Sequence, residues 1–279
     1  MSSKMEKFSV LMSVYHSDNP HYLDVALHSI YDDQLVKPDQ IIIVADGELL
    51  QTQNDIIGKF ISHCPNGIAE LLQLPYNVGL AAALNTGLEH CRNNLVARMD
   101  SDDISSPDRF QKQITFMSTH TEIDVCGSYI DEIDPVTETF ISTRKVPLTH
   151  NEIIVFARKR SPFSHPSVVF RKNKVISVGG YPPFRKSQDF ALWSKMIVND
   201  AKFANISDVL LRMRTGNDMM ARRGISHLKY EIKVLGYQRK IGFITTGQFI
   251  HVLAIRTFFR ILPGNFKKVV YKIIRKCYG

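Results

Sequence analysis

The sequence predicts an α/β fold in which a single, Rossmann-like and mostly parallel sheet is flanked by helices. Short apolar, β-branched runs alternate along the chain with segments whose leucines recur at helical spacing. Phe8 to Tyr15 and Gln40 to Ala45 indicate strands, whereas Pro20 and Leu80 begin helical patterns. Because the strands of a parallel sheet are buried on both faces, continuous apolar runs of this kind favour parallel pairing.

Further elements continue this alternation and are followed by a helical region. Ser106-Pro107 has the pattern of an N-cap with proline at the first helical position, and predicts a helix to about Ser118. Another helix is predicted at Ser187 to Val198, and from Ile225 the pattern is mainly helical. We therefore expect a sheet domain at 1–223 and a helical, basic extension at 224–279. Further strands are predicted at Ala69 to Leu74, Asn94 to Met99, Ile123 to Ile133, Thr139 to Lys145 and Pro166 to Arg171.

The composition is that of a folded protein whose positive charge is concentrated near its end. Of 279 residues, 44% are hydrophobic and 22% are charged, which excludes a disordered chain, and the net charge is +8. From Arg256 onward, basic residues alternate with aliphatic and aromatic ones, which is typical of an amphipathic segment on an anionic membrane surface. The basic residues are Arg256, Arg260, Lys267, Lys268, Lys272, Arg275 and Lys276.

Three observations predict where the protein works. The apolar segment from Phe249 to Leu262 contains His251, Arg256 and Arg260, so no stretch is suited to span a bilayer. The polar start, Met1 to Lys7, lacks the apolar core of a signal peptide. Four scattered cysteines without a CxxC pair argue against a disulfide framework. We expect a cytoplasmic protein that is peripherally associated with the inner face of the cell's inner membrane.

Polar side chains follow four predicted strands, at the edge where open α/β sheets bind ligands. They are Tyr15, Asp46, Asn77 and Asp100. The fourth begins the sequence Asp100-Ser101-Asp102-Asp103, whose carboxylates repel one another unless a cation relieves them. Hard oxygen ligands select Mg²⁺ or Mn²⁺, and a metal at this edge could bridge a diphosphate. The alternative is an acidic surface turn; an EF-hand loop fits poorly because its glycine and distal glutamate are missing.

Five segments, taken together and in order, resemble family 2 glycosyltransferases of the GT-A fold. They are SVLMSVY (Ser9 to Tyr15), the strand end at Asp46, LPYNVGLAAALNTGL (Leu74 to Leu88), MDSDD (Met99 to Asp103) and SQDFALW (Ser187 to Trp193). The resemblance covers roughly residues 8 to 215. It implies a GT-A fold and transfer of a sugar from a nucleotide-sugar donor.

The resemblance implies a donor site built from strand ends and the loops that follow them. Tyr15 and the backbone at Val14, with His16 nearby, would flank the uracil and ribose. Asp46 would accept a hydrogen bond from the uracil edge, although the family often has a second acidic or polar residue where this chain has Ala45. The other implied donor-site residues are Asn77, Gly79, Asn85, Asp100, Ser101 and Arg222.

The resemblance also implies a metal ion and a general base. Asp102 and Asp103 would hold Mn²⁺ or Mg²⁺, while Asp100 would hold the ribose or the sugar. Asp189 corresponds to the acidic residue that acts as base in inverting members, although the family commonly has Glu-Asp where this chain has Gln188-Asp189. Asp189 would remove the proton of an acceptor hydroxyl as that hydroxyl attacks the anomeric carbon in line. Inversion is the expected outcome.

Two further segments have both a functional and a structural interpretation. His165, in the sequence FSHPS, is predicted on the acceptor side together with Gln188 and Trp193, but a histidine before proline is also an ordinary turn residue. The loop between Arg212 and Arg223 could close over the diphosphate, because arginine suits bidentate phosphate contacts. It could equally be a solvated basic loop.

These features predict an inverting enzyme that transfers glucose or galactose from a UDP-sugar to GlcNAc on undecaprenyl diphosphate. The resemblance further implies a β-1,3 linkage and O-antigen biosynthesis, with a rhamnosyl- or other sugar transferase acting later as the alternative. A nucleotidyltransferase would carry a glycine-rich basic loop after the first strand, and Ser13 to Asn19 has none. A nucleic-acid-binding protein would place its basic residues along a groove with stacking aromatics. Here they alternate with aliphatic residues near the terminus, so we expect no nucleic acid partner.

Overall fold

Four parallel strands form the first half of the sheet in the computed structural model, which describes residues 5–215 and 225–261. The strands are β1 (Phe8–Val14), β2 (Gln40–Ala45), β3 (Ala69–Gln73) and β4 (Leu95–Asp100). The helices between them are α1 (Pro20–Ser29), α2 (Gln51–His63) and α3 (Leu80–His90). The strand order is β3-β2-β1-β4, and every neighbouring pair in this half is parallel.

The sheet becomes mixed beyond β4. The further strands are β5 (Ile104–Ser105), β6 (Val125–Ile133), β7 (Phe140–Arg144), β8 (Val169–Arg171) and β9 (Phe203–Arg214). The order continues from β4 as β8-β6-β9-β5, and β7 also pairs with β6. Only β6 and β9 are parallel in this half, whereas the other pairs are antiparallel. The predicted α/β fold is confirmed, with parallel pairing dominant in the first half alone.

Six helices accompany this second half in the described residues. They are α4 (Arg109–Thr119), α5 (His150–Ala157), α6 (Lys172–Ser177), α7 (Gln188–Ile197), α8 (Ile225–Lys240) and α9 (Thr246–Ile261). Helix α8 packs against α7: Val234 and Leu235 are buried, and Gln238 Nε2 donates to Ser194 Oγ at 2.7 Å. The helices after Ile225 therefore pack on the sheet domain through small apolar clusters with α5 and α7, and the boundary near Arg223 stays a prediction. Within the described ranges, no helix combines the length and apolar composition needed to cross a bilayer.

The apolar core lies in two layers, one on each face of the sheet. Val10 and Met12 of β1 pack into one layer, whereas Leu11 between them packs into the other, because successive side chains of a strand point to opposite faces. Gly87 lets α3 approach the sheet closely. A Cβ atom there would lie 2.4 Å from Leu11 Cδ1 and 2.6 Å from Val44 Cγ2.

Two predicted elements are wrong in detail. Helix α4 begins at Arg109, not at Ser106-Pro107, because Ser106 N donates to Leu210 O and so continues the pairing of β5 with β9. Pro166 does not begin a strand, since His165–Ser167 forms a 3₁₀ turn and β8 starts at Val169.

Candidate active site

Asp46 follows β2 directly and is buried by the loop after β3. Its Oδ1 accepts a hydrogen bond from Val78 N at 2.7 Å and its Oδ2 accepts one from Gly79 N at 3.0 Å. Gly79 has φ +86° and precedes α3, a backbone conformation that glycine adopts without strain. Asn77 Nδ2 donates to Asp46 O at 3.2 Å. Asp46 therefore fixes the Asn77–Gly79 turn, and its contact with uracil stays a prediction.

An open cleft of about 410 Å³ lies at this edge of the sheet. It is lined by His16, Asp46, Gly47, Glu48, Leu49, Leu50 and Asn77. The Tyr15 ring is 42% exposed and meets the His16 ring edge-on, with 5.6 Å between ring centroids. Val14, the last residue of β1, is fully buried, and its backbone contact with a ligand stays a prediction. The structure thus brings together the predicted donor-site residues of the first three strand ends.

Asp18 and Gln53 organise the loop after β1, and sequence reasoning missed both. Asp18 Oδ2 accepts hydrogen bonds from Tyr15 N at 3.1 Å and from Ser101 Oγ at 2.7 Å. Gln53 Nε2 donates to the carbonyl oxygens of Tyr15 and Asp18. Burial raises the pKa of Asp18. The available signal was an aspartate in the same loop as Tyr15 and His16. Ser101 is accordingly engaged with Asp18, and its donor-site role stays a prediction.

Three carboxylates converge where β4 ends. The ligand oxygens of Asp100, Asp102 and Asp103 lie within 4.8 Å of one another, because a tight turn joins β4 to β5. Asp102 is the exposed member of the cluster, and partial desolvation with the negative charges of Asp100 and Asp18 raises its pKa to about 6. Carboxylate oxygens at this spacing are suited to a hard divalent cation, which would relieve their mutual repulsion.

Asp103 is the buried member of the cluster. Its Oδ1 accepts a hydrogen bond from Arg214 N at 3.0 Å, and its buried Oδ2 has no hydrogen-bond partner among the described residues. Burial, with the charges of Asp100 and Asp102, raises its pKa well above the usual value. A buried oxygen without a donor fits a metal ligand or a ligand's hydrogen-bond partner. The donor set of the cluster therefore fits Mn²⁺ or Mg²⁺.

Arg214 supports the acidic cluster from strand β9. Its Nη1 donates to Asp102 O at 2.6 Å, and its Nη2 forms an ion pair with Glu138. The guanidinium also lies over the Tyr22 ring, 4.5 Å from the ring centroid. These contacts engage both terminal nitrogens of Arg214, while its buried Nε has no hydrogen-bond partner among the described residues, and a contact of this segment with a diphosphate stays a prediction. Arg222 lies outside the described residues, and its predicted role stays a prediction.

Arg98 is a buried cation in the middle of the site. It belongs to β4, is 2% exposed, and its Nη2 donates to Asp100 Oδ1. Its Nε and Nη1 have no hydrogen-bond partner in the part of the chain that the structure describes. Burial lowers the pKa of Arg98, but the Asp100 carboxylate beside it outweighs burial and raises it. Sequence reasoning missed Arg98; the signal was a charged residue inside an otherwise apolar strand.

Asp189 lies in the first turn of α7. The residue before Gln188, Ser187, has φ +58°, a left-handed conformation that is strained for serine and concentrates at functional sites. Desolvation raises the pKa of Asp189, while the Phe190 backbone amide and the Arg98 charge lower it, with a net upward shift. The negative charge of Asp100 also raises the pKa of Asp189, so the two carboxylates are close enough to interact electrostatically. Gln188 is buried beside it.

His165 is held by Tyr181, which sequence reasoning also missed. His165 Nε2 and Tyr181 Oη are 3.0 Å apart, and desolvation lowers the pKa of His165 well below its usual value. Asn85 clamps Tyr181, because Asn85 Nδ2 donates to Tyr181 O at 3.0 Å and Asn85 Oδ1 accepts from Tyr181 N at 2.8 Å. Both ends of the Asn85 amide are thereby engaged, and its predicted nucleotide contact stays a prediction. The available signal was the aromatic residue that follows Gly179-Gly180.

Trp193 lies beneath His165 in the core. Its side chain is fully buried, and its ring meets those of Phe163 and His165 edge-on at 5.4 and 6.1 Å between centroids. Trp193 thus packs against His165 from the core, and a direct contact between Trp193 and an acceptor stays a prediction.

Comparison with known proteins agrees with this architecture. A parallel half-sheet joined to a mixed half, with carboxylates at the end of the central strand, defines a GT-A glycosyltransferase. The chain belongs to glycosyl transferase family 2, whose model matches residues 9–187. It is therefore a glycosyltransferase, which sets aside the nucleotidyltransferase and nucleic-acid-binding alternatives as its principal activity.

Curated relatives match the whole length of the chain. It is 37% identical over 272 residues to the amylovoran biosynthesis glycosyltransferase AmsE of Erwinia amylovora, covering 96% of this chain and 99% of that protein. It is also 37% identical over 280 residues to the UDP-Gal:alpha-D-GlcNAc-diphosphoundecaprenol beta-1,3-galactosyltransferase of Escherichia coli, covering 99% of each.

Solved structures share the fold at lower identity. Residues 1–349 of TarS from S. aureus, in complex with UDP-GlcNAc, match with a TM-score of 0.65 and 17% identity, over 90% of this chain and 71% of that one. The mannosyltransferase PcManGT of Pyrobaculum calidifontis, in complex with GDP-Man and Mn²⁺, matches with a TM-score of 0.66 and 15% identity, over 90% of this chain and 69% of that one.

Proposed function

We propose that this protein is a metal-dependent, inverting hexosyltransferase that transfers galactose or glucose from a UDP-sugar to lipid-diphosphate-linked GlcNAc. The observation that carries the proposal is a cluster of three carboxylates suited to a divalent cation, with a further aspartate whose pKa the negative charge of the cluster raises. The cluster consists of Asp100, Asp102 and Asp103 at the end of β4, and the further aspartate is Asp189 at the start of α7. The full-length similarity to the Escherichia coli galactosyltransferase supports this choice of donor and acceptor, and with it the β-1,3 linkage.

The acidic cluster would hold Mn²⁺ or Mg²⁺ through Asp102 and Asp103, with Asp100 directed to the ribose or the sugar. A bound divalent cation supplies neutralisation of the negative charge that develops on the departing UDP. Arg214 would keep Asp103 oriented through its backbone amide. Because the negative charges of the three aspartates repel one another, a bound cation would stabilise the cluster.

Asp189 would act as the general base. The acceptor hydroxyl gives its proton to a carboxylate oxygen of Asp189 while its oxygen attacks the anomeric carbon of the donor. The bond between that carbon and the diphosphate oxygen breaks on the opposite face, so the configuration inverts. Desolvation raises the pKa of Asp189, which makes the carboxylate a stronger base than a solvated aspartate. His165, kept neutral by its surroundings, would line the acceptor side.

The nucleotide would lie in the cleft beside Asp46. Tyr15 and His16 would flank the uracil and ribose, and the turn of Asn77 and Gly79 would bring backbone close to the ligand. The basic residues after Ile261 would hold the enzyme at an anionic membrane surface, on the cytoplasmic side, where a polyprenyl-diphosphate acceptor is confined. O-antigen or a similar surface polysaccharide would be the product.

The test measures UDP release from a panel of UDP-sugars, with a synthetic GlcNAc-diphosphate-lipid acceptor and MnCl₂. Wild-type protein is expected to release UDP from UDP-galactose or UDP-glucose only when the acceptor is present. Asp102→Asn and Asp189→Asn are expected to lower this release by about 10²-fold or more, whereas Asp108→Asn, a change on the surface beside Lys112, leaves it intact. Absence of release across the panel would contradict the proposed donor and acceptor.

A further inference from the structure

Arg98 and Arg109 are both fully buried, yet only one of them has its donors satisfied. Arg109 donates from Nε to Gln113 Oε1 at 3.0 Å, from Nη1 to Met99 Sδ at 3.4 Å and from Nη2 to Arg98 O at 2.7 Å. Arg98 pairs through Nη2 with Asp100, while its buried Nε and Nη1 have no partner among the described residues. The fold can therefore satisfy a buried arginine, and at Arg98 it leaves two donor atoms open.

Open donor atoms on a buried guanidinium are unfavourable unless a partner reaches them. A buried N–H without an acceptor loses its hydrogen bonds to water and gains nothing in return. Arginine also stays protonated, so it cannot escape this cost by releasing a proton. The acceptor that completes Arg98 is therefore expected to come from a bound molecule.

The strand geometry places Arg98 on the face that carries the base. Ala97 and Met99 of β4 pack into one core layer, whereas Val96 packs into the layer that contains Leu192 and Trp193 of α7. Because side chains alternate along a strand, Arg98 shares the face of Val96 and points toward α7. Asp100, two residues on, shares that face and binds Arg98 directly.

Two groups of side chains lie near this guanidinium. Its Nη2 is hydrogen-bonded to Asp100 of the acidic cluster. Desolvation raises the pKa of Asp102 and Asp103, and the positive charge of the guanidinium lowers it. At Asp189 and His165 the same charge lowers the pKa, beside the larger effect of desolvation, so the guanidinium is close to both the acidic cluster and the proposed base. In the proposed reaction, the donor hexose also has to lie close to both, because its anomeric carbon is bonded to the diphosphate and is attacked by the deprotonated acceptor.

We propose that Arg98 binds the donor hexose, with Nε and Nη1 donating hydrogen bonds to a sugar hydroxyl oxygen, and that it determines which hexose is accepted. This inference rests on the proposed function. Guanidinium N–H groups have fixed directions, so a hydroxyl in the wrong configuration leaves them unsatisfied. A site built to hydrogen-bond a hydroxyl also discriminates strongly against an analogue that lacks it. Asp100, held by Arg98, would accept from a neighbouring hydroxyl.

The experiment compares binding of UDP with binding of UDP-galactose to the full-length protein by calorimetry in MnCl₂. The variants are Arg98→Met, which keeps much of the side-chain volume, and Arg98→Lys, which keeps the charge without the fork. Arg98→Met is expected to weaken UDP-galactose binding by about 10- to 100-fold, the loss typical of a charge-assisted hydrogen bond, and to leave UDP binding within about twofold. Arg98→Lys should give a smaller loss, again confined to the sugar nucleotide.

Deoxy analogues of UDP-galactose identify the hydroxyl. The analogue that lacks the contacted hydroxyl should bind wild-type protein at least about tenfold more weakly than UDP-galactose does. Arg98→Met should lower the affinity for this analogue little further, because the hydrogen bond that the substitution removes is already absent. Equal losses for UDP and UDP-galactose would assign Arg98 to the diphosphate or to scaffolding and overturn the inference. The inference would also be overturned if, for every deoxy analogue, the loss of affinity caused by Arg98→Met simply added to the loss caused by removing the hydroxyl.

Controls distinguish a direct contact of Arg98 with the hexose from a loss of folding, from an effect on Asp100 and from a failure of the proposed function. Arg109→Met removes a buried arginine outside the site, and is expected to lower the melting temperature without changing the ratio of UDP-galactose to UDP affinity. Asp100→Asn tests whether the loss of UDP-galactose affinity in Arg98→Met arises because Asp100 has lost its partner. The same affinities for UDP and UDP-galactose in Asp100→Asn and Arg98→Met would overturn a direct contact of Arg98 with the hexose. Failure of the wild-type protein to bind any UDP-sugar contradicts the proposed function itself, whereas wild-type binding with an unchanged ratio in Arg98→Met contradicts only this inference.

Discussion

The backbone amide of Arg214 donates a hydrogen bond to Asp103 Oδ1 across 3.0 Å, although the two residues are 111 positions apart in the chain. The same arginine donates from Nη1 to Asp102 O and pairs through Nη2 with Glu138 at the β6–β7 hairpin. The acidic cluster is therefore held from strand β9 as well as from its own strand β4. The bond to Asp103 comes from the main chain, whereas the Arg214 side chain supports the cluster through the Asp102 carbonyl oxygen and its ion pair with Glu138.

Replacing Arg214 by methionine should weaken metal binding. We expect the apparent affinity for Mn²⁺ to fall by about 10- to 100-fold, the range typical of lost partners behind metal ligands. The measurement is Mn²⁺-dependent fluorescence or calorimetry on the purified variant. Arg212→Met is the matched control, because Arg212 reaches the same Glu138 at 3.6 Å from a partly exposed position. Exposed ion pairs contribute about 0–1 kcal/mol, so this control should change little. Equal effects of the two changes would contradict a specific role for Arg214.

The pH dependence of stability should reveal the acidic cluster. The pKa of Asp102 is raised to about 6, and that of Asp103 is raised well above its usual value. The folded metal-free protein therefore binds these protons more tightly than the unfolded chain does. The cluster's contribution to stability is then greatest at low pH and declines as pH rises from about 4 through about 6.

Metal should reverse this loss, since Mn²⁺ competes with the protons. We expect the rise in melting temperature on adding MnCl₂ to be larger at pH 7.5 than at pH 5.5. The measurement is thermal denaturation at both pH values with and without metal. Asp102→Asn should reduce both the metal effect and its pH dependence, whereas Asp108→Asn should preserve them. A pH-independent metal shift in the wild-type protein would rule out competition between protons and metal at this cluster.

The sequence predicted the parallel half of the fold because its strands are continuous apolar runs. β2 was predicted with the bounds that the structure has, and all six of its residues are buried. β9 was not predicted, because polar residues such as Asn205, Asp208 and Arg212 interrupt its apolar sequence. On one side this strand pairs with the short strand β5. The hydrophobic pattern of a strand reflects which of its side chains are buried, so a strand with many polar residues is hard to predict from sequence.

The site was predictable where its residues follow strand ends and not where they depend on tertiary contacts. Asp46 and Asp100 were found from their place after apolar runs. The hydrogen bonds of Asp46 to Val78 and Gly79, and of Asn85 to Tyr181, join segments that sequence alone does not bring together. Arg98 was visible as a charge in an apolar strand, but only its burial and open donor atoms distinguish it from a partly exposed edge residue.

The basic residues after Ile261 should control membrane binding. Replacing Lys267, Lys268, Lys272 and Lys276 by glutamine should weaken binding to vesicles containing phosphatidylglycerol by about 10²-fold or more, since each basic residue contributes roughly 1 kcal/mol at an anionic surface. The measurement is co-sedimentation at low and high salt. The matched control replaces four exposed lysines elsewhere, Lys7, Lys59, Lys145 and Lys202. Equal losses in the two variants would assign binding to net charge, and not to the tail.

Removing the Tyr181 hydroxyl should disturb His165. Tyr181→Phe leaves His165 Nε2 without its 3.0 Å partner, and an unsatisfied buried polar group costs about 1–3 kcal/mol. We expect lower stability to denaturant and a higher KM for the acceptor, with the KM for the UDP-sugar unchanged. Tyr31→Phe, a change at the end of α1 where the ring packs against Phe60, is the control. A change in the donor KM instead would move His165 from the acceptor side to the donor side.

Asp189→Asn should remove the chemical step while leaving the donor in place. General-base catalysis contributes about 10²- to 10⁴-fold, and asparagine cannot accept the proton, so kcat should fall within that range. Binding of UDP-galactose should change by less than about threefold, because the amide keeps the size of the carboxylate. Asp200→Asn is the control: Asp200 follows α7 with φ +58°, a conformation that asparagine also tolerates.

The pH profile gives a second readout of the same group. Because desolvation raises the pKa of Asp189, a larger fraction of this carboxylate than of a solvated aspartate is protonated on the acid side. Wild-type kcat should therefore fall on acidification at a pH above the ordinary range of aspartate, and the residual activity of Asp189→Asn should lack that limb. A variant that retains wild-type kcat, or that retains the acid limb, would show that the proton is taken by another group.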